Sequence, residues 1–169
     1  MPDESGAAEA EAALGLIETA FAGREPPPVM TDSLQLSDAE YAEVMAFDGL
    51  AWRDVTFALA EANADAVFWF APEAFCYYLS GLLAAGLKEN RWDSNAYDAL
   101  IGMLDRSPEP DYWDDFFRPR WTLLSPAELE AVAAWVRCFA AAQPDAFHDN
   151  SFERALATLA LLKDQRAGK

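Results

Sequence analysis

The stretch EPDYWDDFFRPRW, residues 109–121, gathers the side chains of this sequence best suited to chemistry. Asp111 stands three residues before Asp114 and four before Asp115. On a helix those carboxylates share a face and offer oxygen ligands to a hard cation such as Mg²⁺ or Ca²⁺. No glycine, asparagine or bidentate glutamate completes a calcium loop, so the competing reading is a decorated first helical turn, with Tyr112, Trp113, Phe116 and Phe117 packed inward. Arg118 and Arg120 follow at once. Their planar forks suit a carboxylate or phosphate, and together with Tyr77 they would form an anion pocket; simple pairing with the neighbouring acids is the alternative.

The single histidine, His148, lies between Asp145 and Asp149. A His–Asp neighbour becomes a general base only when a nucleophile or a metal is placed against it. G-x-S-x-G, H-E-x-x-H, C-x-x-C and Walker sequences are all missing from the chain. One histidine and two distant cysteines, Cys76 and Cys138, do not make a zinc set. The reading is therefore that the chain carries no cofactor.

The elements that would position these residues are helical. Ala66–Leu87 holds one charged side chain in 22 residues, but Pro72 and Glu73 interrupt it. The remaining apolar run has the length of a core helix rather than a membrane span. Phe75, Tyr78, Leu79, Leu82, Leu83 and Gly86 form one broad face of a helix starting at Pro72, and its other positions are uncharged, so it belongs at the centre of the molecule. Tyr77 and Tyr78 point to different sides, which leaves one of them to line a cleft unless both hydroxyls find partners.

Ser37 with Glu40, and Ser125 with Glu128, are capping boxes that open further helices, the first turning Tyr41, Val44 and Met45 inward. Apolar stripes predict helices over Trp52–Ala62, Tyr97–Leu104, Leu129–Phe139 and, after Asn150, Phe152–Leu159, while AVFWFA at 66–71 is left irregular. The expected fold is all-α, a single-domain irregular bundle of about six or seven helices. Residues 1–30 read as an N-terminal helix and Pro-rich linker, and residues 31–169 as the helical domain. Rich in alanine and joined through Pro26–Pro28, the first helix is expected to bury little and to be dispensable for folding.

From Trp52 to about Phe139 the chain resembles a bacterial family of small acidic helical proteins known as a domain of unknown function. The residues that carry the resemblance are WRDV, FWFAPEAFCYYL and RWTLLSPAELEAVAAWV; Ser80 stands where the family pattern often has proline. The resemblance implies a bacterial, intracellular helical protein and supplies no activity.

The chain has 29 acidic and 12 basic side chains, a net charge of −17, which disfavours nucleic acid and anionic membranes as partners. The acidic N-terminus lacks the basic and apolar regions of a signal peptide, and two cysteines make no disulfide framework; together these point to the cytoplasm. Residues 1–65 hold 14 acids against 2 bases. That half would steer a basic protein, with Glu40, Glu43, Asp54 and Glu61 as the partner surface. The resulting expectation is a non-enzymatic acidic protein-binding module of immunity-like or regulatory type. The alternative is a small enzyme or ligand-binding protein with a carboxylate/Arg site, and a structural subunit using Trp113 or Trp135 as its contact is a third reading.

Overall fold

From Ala74 to Leu87 every residue is buried, so this helix has no solvent face and must be enclosed from all sides. In the computed structural model, which describes residues 4–168, it is α5, Pro72–Glu89. Pro72 starts it at a position where no amide partner is needed, and Asn90 ends it in the left-handed conformation (φ 50°), its N–H bonded to the Gly86 carbonyl. The other helices are α1 (Glu4–Ala20), α2 (Asp38–Met45), α3 (Phe57–Ala62), α4 (Ala66–Trp69), α6 (Asn95–Leu104), α7 (Phe117–Trp121), α8 (Pro126–Ala142) and α9 (Ser151–Ala167). Two 3₁₀ turns, Trp52–Asp54 and Pro110–Tyr112, complete the described residues, which contain no strand. The all-α expectation therefore holds, with more and shorter helices than sequence periodicity resolves. No helix among the described residues is long and apolar enough to cross a membrane.

The turn at Trp52–Asp54 lies directly on α5, and its closeness dictates Gly81: a Cβ there would overlap the Trp52 carbonyl oxygen and come within 2.8 Å of the Val55 side chain. Both tyrosines of α5 are buried, because both hydroxyls find partners in the same segment. Tyr78 donates to the Phe47 and Leu50 carbonyls at 2.7 and 3.0 Å, and Tyr77 accepts the Trp52 N–H at 3.3 Å. Neither is left to line a cleft. Across α5, Tyr97 on α6 donates to the Leu82 carbonyl at 2.6 Å.

Several local expectations are corrected. The stripe over Trp52–Ala62 is not one helix, because Thr56 breaks it and caps α3 by accepting the Leu59 N–H at 3.1 Å. AVFWFA is not irregular but contains α4. Tyr41 and Tyr112, expected to face inward, are 51% and 75% exposed. Trp113 and Trp135, considered as exposed contacts, are buried. Asn150 precedes α9 but makes no side-chain cap bond. Both capping boxes, at Ser37 and Ser125, are present.

The N-terminal helix also departs from expectation. Ala13, Ile17 and Phe21 are buried in the same core as α5, and α1 packs chiefly against α8. Alanines on both helices, Ala10 and Ala13 on one and Ala131 and Ala134 on the other, contribute to that core, so a small-residue face here still seats Ile17 and Phe21 deeply. The Pro-rich segment ends by accepting the Ala71 N–H at the buried Met30 carbonyl, 2.9 Å. Deleting Met1–Pro28 is thus expected to abolish cooperative thermal unfolding, since loss of Ile17 and Phe21 alone removes about 6 kcal/mol, comparable with a domain's whole stability. Gly81→Ala should cost ~3 kcal/mol in chemical denaturation, whereas Gly102→Ala, on a helix with open space around it, should be neutral or stabilising by up to ~1 kcal/mol.

Candidate functional site

The carboxylates and arginines of residues 109–121 are brought close in sequence but do not converge. Asp114 caps α7, its Oδ1 accepting the Phe117 N–H at 2.8 Å, while its Oδ2 lies 3.3 Å from Arg106 Nη1. Asp111 belongs to the 3₁₀ turn and contributes its main-chain oxygen to Arg118; Asp115 is solvent-exposed. Among the described residues no three His, Cys, Asp or Glu side chains come together as a metal-holding group.

Arg118 donates to the carbonyls of Trp113, Pro110 and Asp111 at 2.8–3.0 Å, which locks that turn against α7. Arg120, 8% exposed, donates to the Phe116 and Phe70 carbonyls at 2.9 and 2.8 Å and lies 4.2 Å from the centre of the Phe116 ring. Burial pulls its pKa below the ordinary arginine value. With Tyr77 bonded to Trp52, Arg118, Arg120 and Tyr77 each serve a different main-chain junction and share no pocket. His148 is exposed in the loop before α9.

A bidentate ion pair between residues 104 apart, invisible to sequence reasoning, joins the segment after α1 to α8. Arg24 donates from Nε and Nη2 to the two carboxylate oxygens of Glu128 at 2.5 and 2.8 Å. The buried Glu128 also receives the Ser125 N–H at 2.8 Å, so one carboxylate closes a capping box and ties two helices. The pair lines a broad cleft of about 830 Å³, together with Pro26, Pro28 and Glu73.

The acids of the N-terminal half behave differently. Among the described residues the five ion pairs all draw their carboxylate from Asp105, Asp114, Glu128 or Glu130, and none from residues 4–65. Of the expected partner surface, Glu40 is engaged in its capping box, accepting the Ser37 N–H at 2.7 Å, while Asp54 and Glu61 are exposed. Glu43 is half-buried, with Oε2 enclosed and without a hydrogen-bond partner. Burial first, and the charge of Asp65 second, raise its pKa, with a smaller push from Glu40; the Asp65 main chain works the other way. Asp98 on α6 is raised by burial, and then by Asp93 and Glu61.

α4 packs against both α2 and α6, and an apolar groove of about 320 Å³ lies where α4 meets α6. Phe68, 38% exposed, forms one wall; Ala99, Gly102 and Met103 of α6 and Phe116 form the rest, with the paired Arg106 and Asp114 at the edge. Asp65 precedes Phe68 by three residues and Asp98 precedes Gly102 by four, but neither acid is among the residues that line the groove. Sequence reasoning missed Phe68 and the groove it walls because the helical character of 66–69 was not legible. No protein-family model, no curated protein and no solved structure matches the chain.

Because the folded pKa of Glu43 lies above its ordinary 4.5, its ionised form costs stability at neutral pH, and that cost disappears as pH falls through the acid range. Glu43→Gln is expected to melt higher than the parent protein at pH 7, with the difference narrowing as pH falls and closing only below about pH 3, where an ordinary glutamate is protonated in the unfolded chain as well. Melting curves at the two pH values measure this; a destabilised variant at pH 7 would show that the carboxylate is satisfied in place.

Proposed function

We propose that this chain is a non-enzymatic, cytoplasmic acidic protein that binds a basic protein partner, in an immunity-type or regulatory role. The observation that carries this reading is the separation of charge: acids from residue 105 onwards form the ion pairs, while those of residues 4–65 have none among the described residues. An acid surface without internal cations repels itself and attracts a complementary one, accelerating encounter with a basic protein. The resemblance of residues 52–139 to a bacterial domain of unknown function agrees with this setting and adds no activity. The alternative of a carboxylate/Arg ligand site draws less support, because Arg118 and Arg120 are held by main-chain carbonyls.

Glu40 caps α2 and is best left in place, with Asp65 taking its part. Proteins captured from native cytosol by the parent chain are expected to be basic, and to associate more slowly as salt rises, because the Debye length contracts from about 10 Å at 0.1 M to about 3 Å at 1 M. The combined variant Glu43→Gln, Asp54→Lys, Glu61→Lys, Asp65→Lys should lower the association rate at least ~10-fold, with a smaller change in dissociation. Acidic partners, salt-insensitive association, or equal capture by both proteins would contradict the proposal.

A further inference from the structure

We propose that the peptide bond between Leu34 and Gln35 is a processing site for an endopeptidase with an apolar primary pocket, and that its hydrolysis turns α1 from a tethered element into a separable one. An endopeptidase takes its substrate as an added strand, bonding to main-chain N–H and C=O groups, so the target segment must be exposed and its main chain unclaimed. Thr31–Leu36 meets both conditions. It contains no helix, strand or hydrogen-bonded turn, and among the described residues no hydrogen bond between main-chain groups involves it. Its internal bonds are two long ones at the surface, from the Ser33 N–H to Thr31 Oγ1 at 3.3 Å and from the Gln35 N–H to Ser33 Oγ at 3.4 Å. Leu34 stands at a bend between them, 99% exposed, with Asp32, Ser33 and Gln35 also exposed. The other exposed large apolar side chains lack an open main chain. Leu16, Tyr41 and Phe68 lie in helices, and Tyr112 ends a 3₁₀ turn whose Asp111 carbonyl is taken by Arg118. Leu123 has its N–H bonded to the Arg120 carbonyl and its own carbonyl bonded to Arg24, while Val29 is held between Pro28 and the buried Met30. Among the described residues, a large exposed apolar side chain and an unclaimed main chain therefore coincide at Leu34.

Both ends of the segment are fixed, at Met30 by the Ala71 N–H at 2.9 Å and at Ser37 by its capping box, so a cut between them leaves the surrounding fold in place. Water supplies both new ends: its oxygen joins the Leu34 carbonyl carbon to give a carboxylate, the C–N bond breaks, and the Gln35 nitrogen leaves with the electron pair and is protonated to an ammonium group. Residues 1–34 are then held only by the packing of α1 on α8, by the buried Ile17 and Phe21, and by the Arg24–Glu128 pair. Folding becomes an association of two chains and depends on their concentration.

The full chain, digested in native buffer with a trace of chymotrypsin and followed by mass, tests this. The first cut should fall between Leu34 and Gln35, at a rate proportional to protease because the segment needs no unfolding to be reached. Leu34→Asp should slow that cut at least ~10-fold, through loss of the apolar side chain from the protease pocket, while leaving Tm unchanged. The two products should elute together in native gel filtration. Once cut, the protein should lose about 3–6 °C in Tm for each tenfold dilution, whereas the uncut chain should show no dependence. A first cut at Tyr112, at Leu123 or within a helix, or an unchanged rate in Leu34→Asp, overturns the site. Products that separate at once in native buffer, or a cut protein whose Tm ignores dilution, overturn the concentration-dependent release of α1.

Discussion

A helix without a solvent face organises this molecule. Because α5 is buried continuously from Ala74 to Leu87, its side chains contribute to folding only if other elements cover it on every side. The cover is set partly by contact at a single residue: the main chain at Trp52 rests on Gly81 so closely that no side chain fits between them. Around that contact, Tyr77 and Tyr78 meet edge to face at 4.9 Å, and their hydroxyls bind the 47–52 segment in place. On another side Phe75 meets Trp121 at 5.4 Å, and the Cys76 thiol, its pKa pushed up to about 12 by burial, donates to the Arg120 carbonyl at 3.3 Å. Such a thiol is a small core group rather than a reactive one.

The polar side chains of this enclosure are bonded largely to main-chain carbonyls rather than to opposite charges. Arg118 and Arg120 are the clearest cases, and Tyr78 and Tyr97 follow the same rule. Cations bonded in this way keep their charge but form no direct ion pair with an acid. With 12 basic side chains in all and several of them engaged internally, the 29 acids are left in surplus, and the surplus falls on the N-terminal half. The surface charge and the core architecture are thus linked: the same scarcity of ion pairs that lets tyrosine and arginine close the core leaves the acids available outside.

Features governed by local rules were legible in the sequence. Ser37–Glu40 and Ser125–Glu128 form capping boxes because three-residue spacing alone brings serine and glutamate into register, and Pro72 marks the start of α5 for a similarly local reason. What depended on distant chain was not legible. Glu128 reads as a cap, but its pairing with Arg24 requires the packing of α1 on α8. The apolar stripe over Trp52–Ala62 conceals a break, because a threonine's capping bond can override periodicity. Charge counting found Glu43 and Glu61, yet the closeness of Asp65 to Glu43, and of Glu61 to Asp98, appears only in the folded chain. The tyrosines at 41 and 112 resisted reading for the opposite reason: helical spacing marks a face, and the structure covers Val44, Trp113 and Phe117 while leaving the two tyrosines at its margin.

The claim beneath both the fold and its proposed role is that the acidic surface repels itself in the free protein. Thermal unfolding in sodium chloride from about 0.01 M to about 0.5 M at neutral pH addresses it directly, because that range takes the Debye length from about 30 Å to a few ångströms. If the acids of residues 4–65 lack internal partners, screening must stabilise the folded chain, and Tm must rise by roughly 2–4 °C for each kcal/mol of repulsion relieved. A Tm that falls with salt would mean that ion pairs outweigh repulsion and that the acids are already neutralised within the molecule.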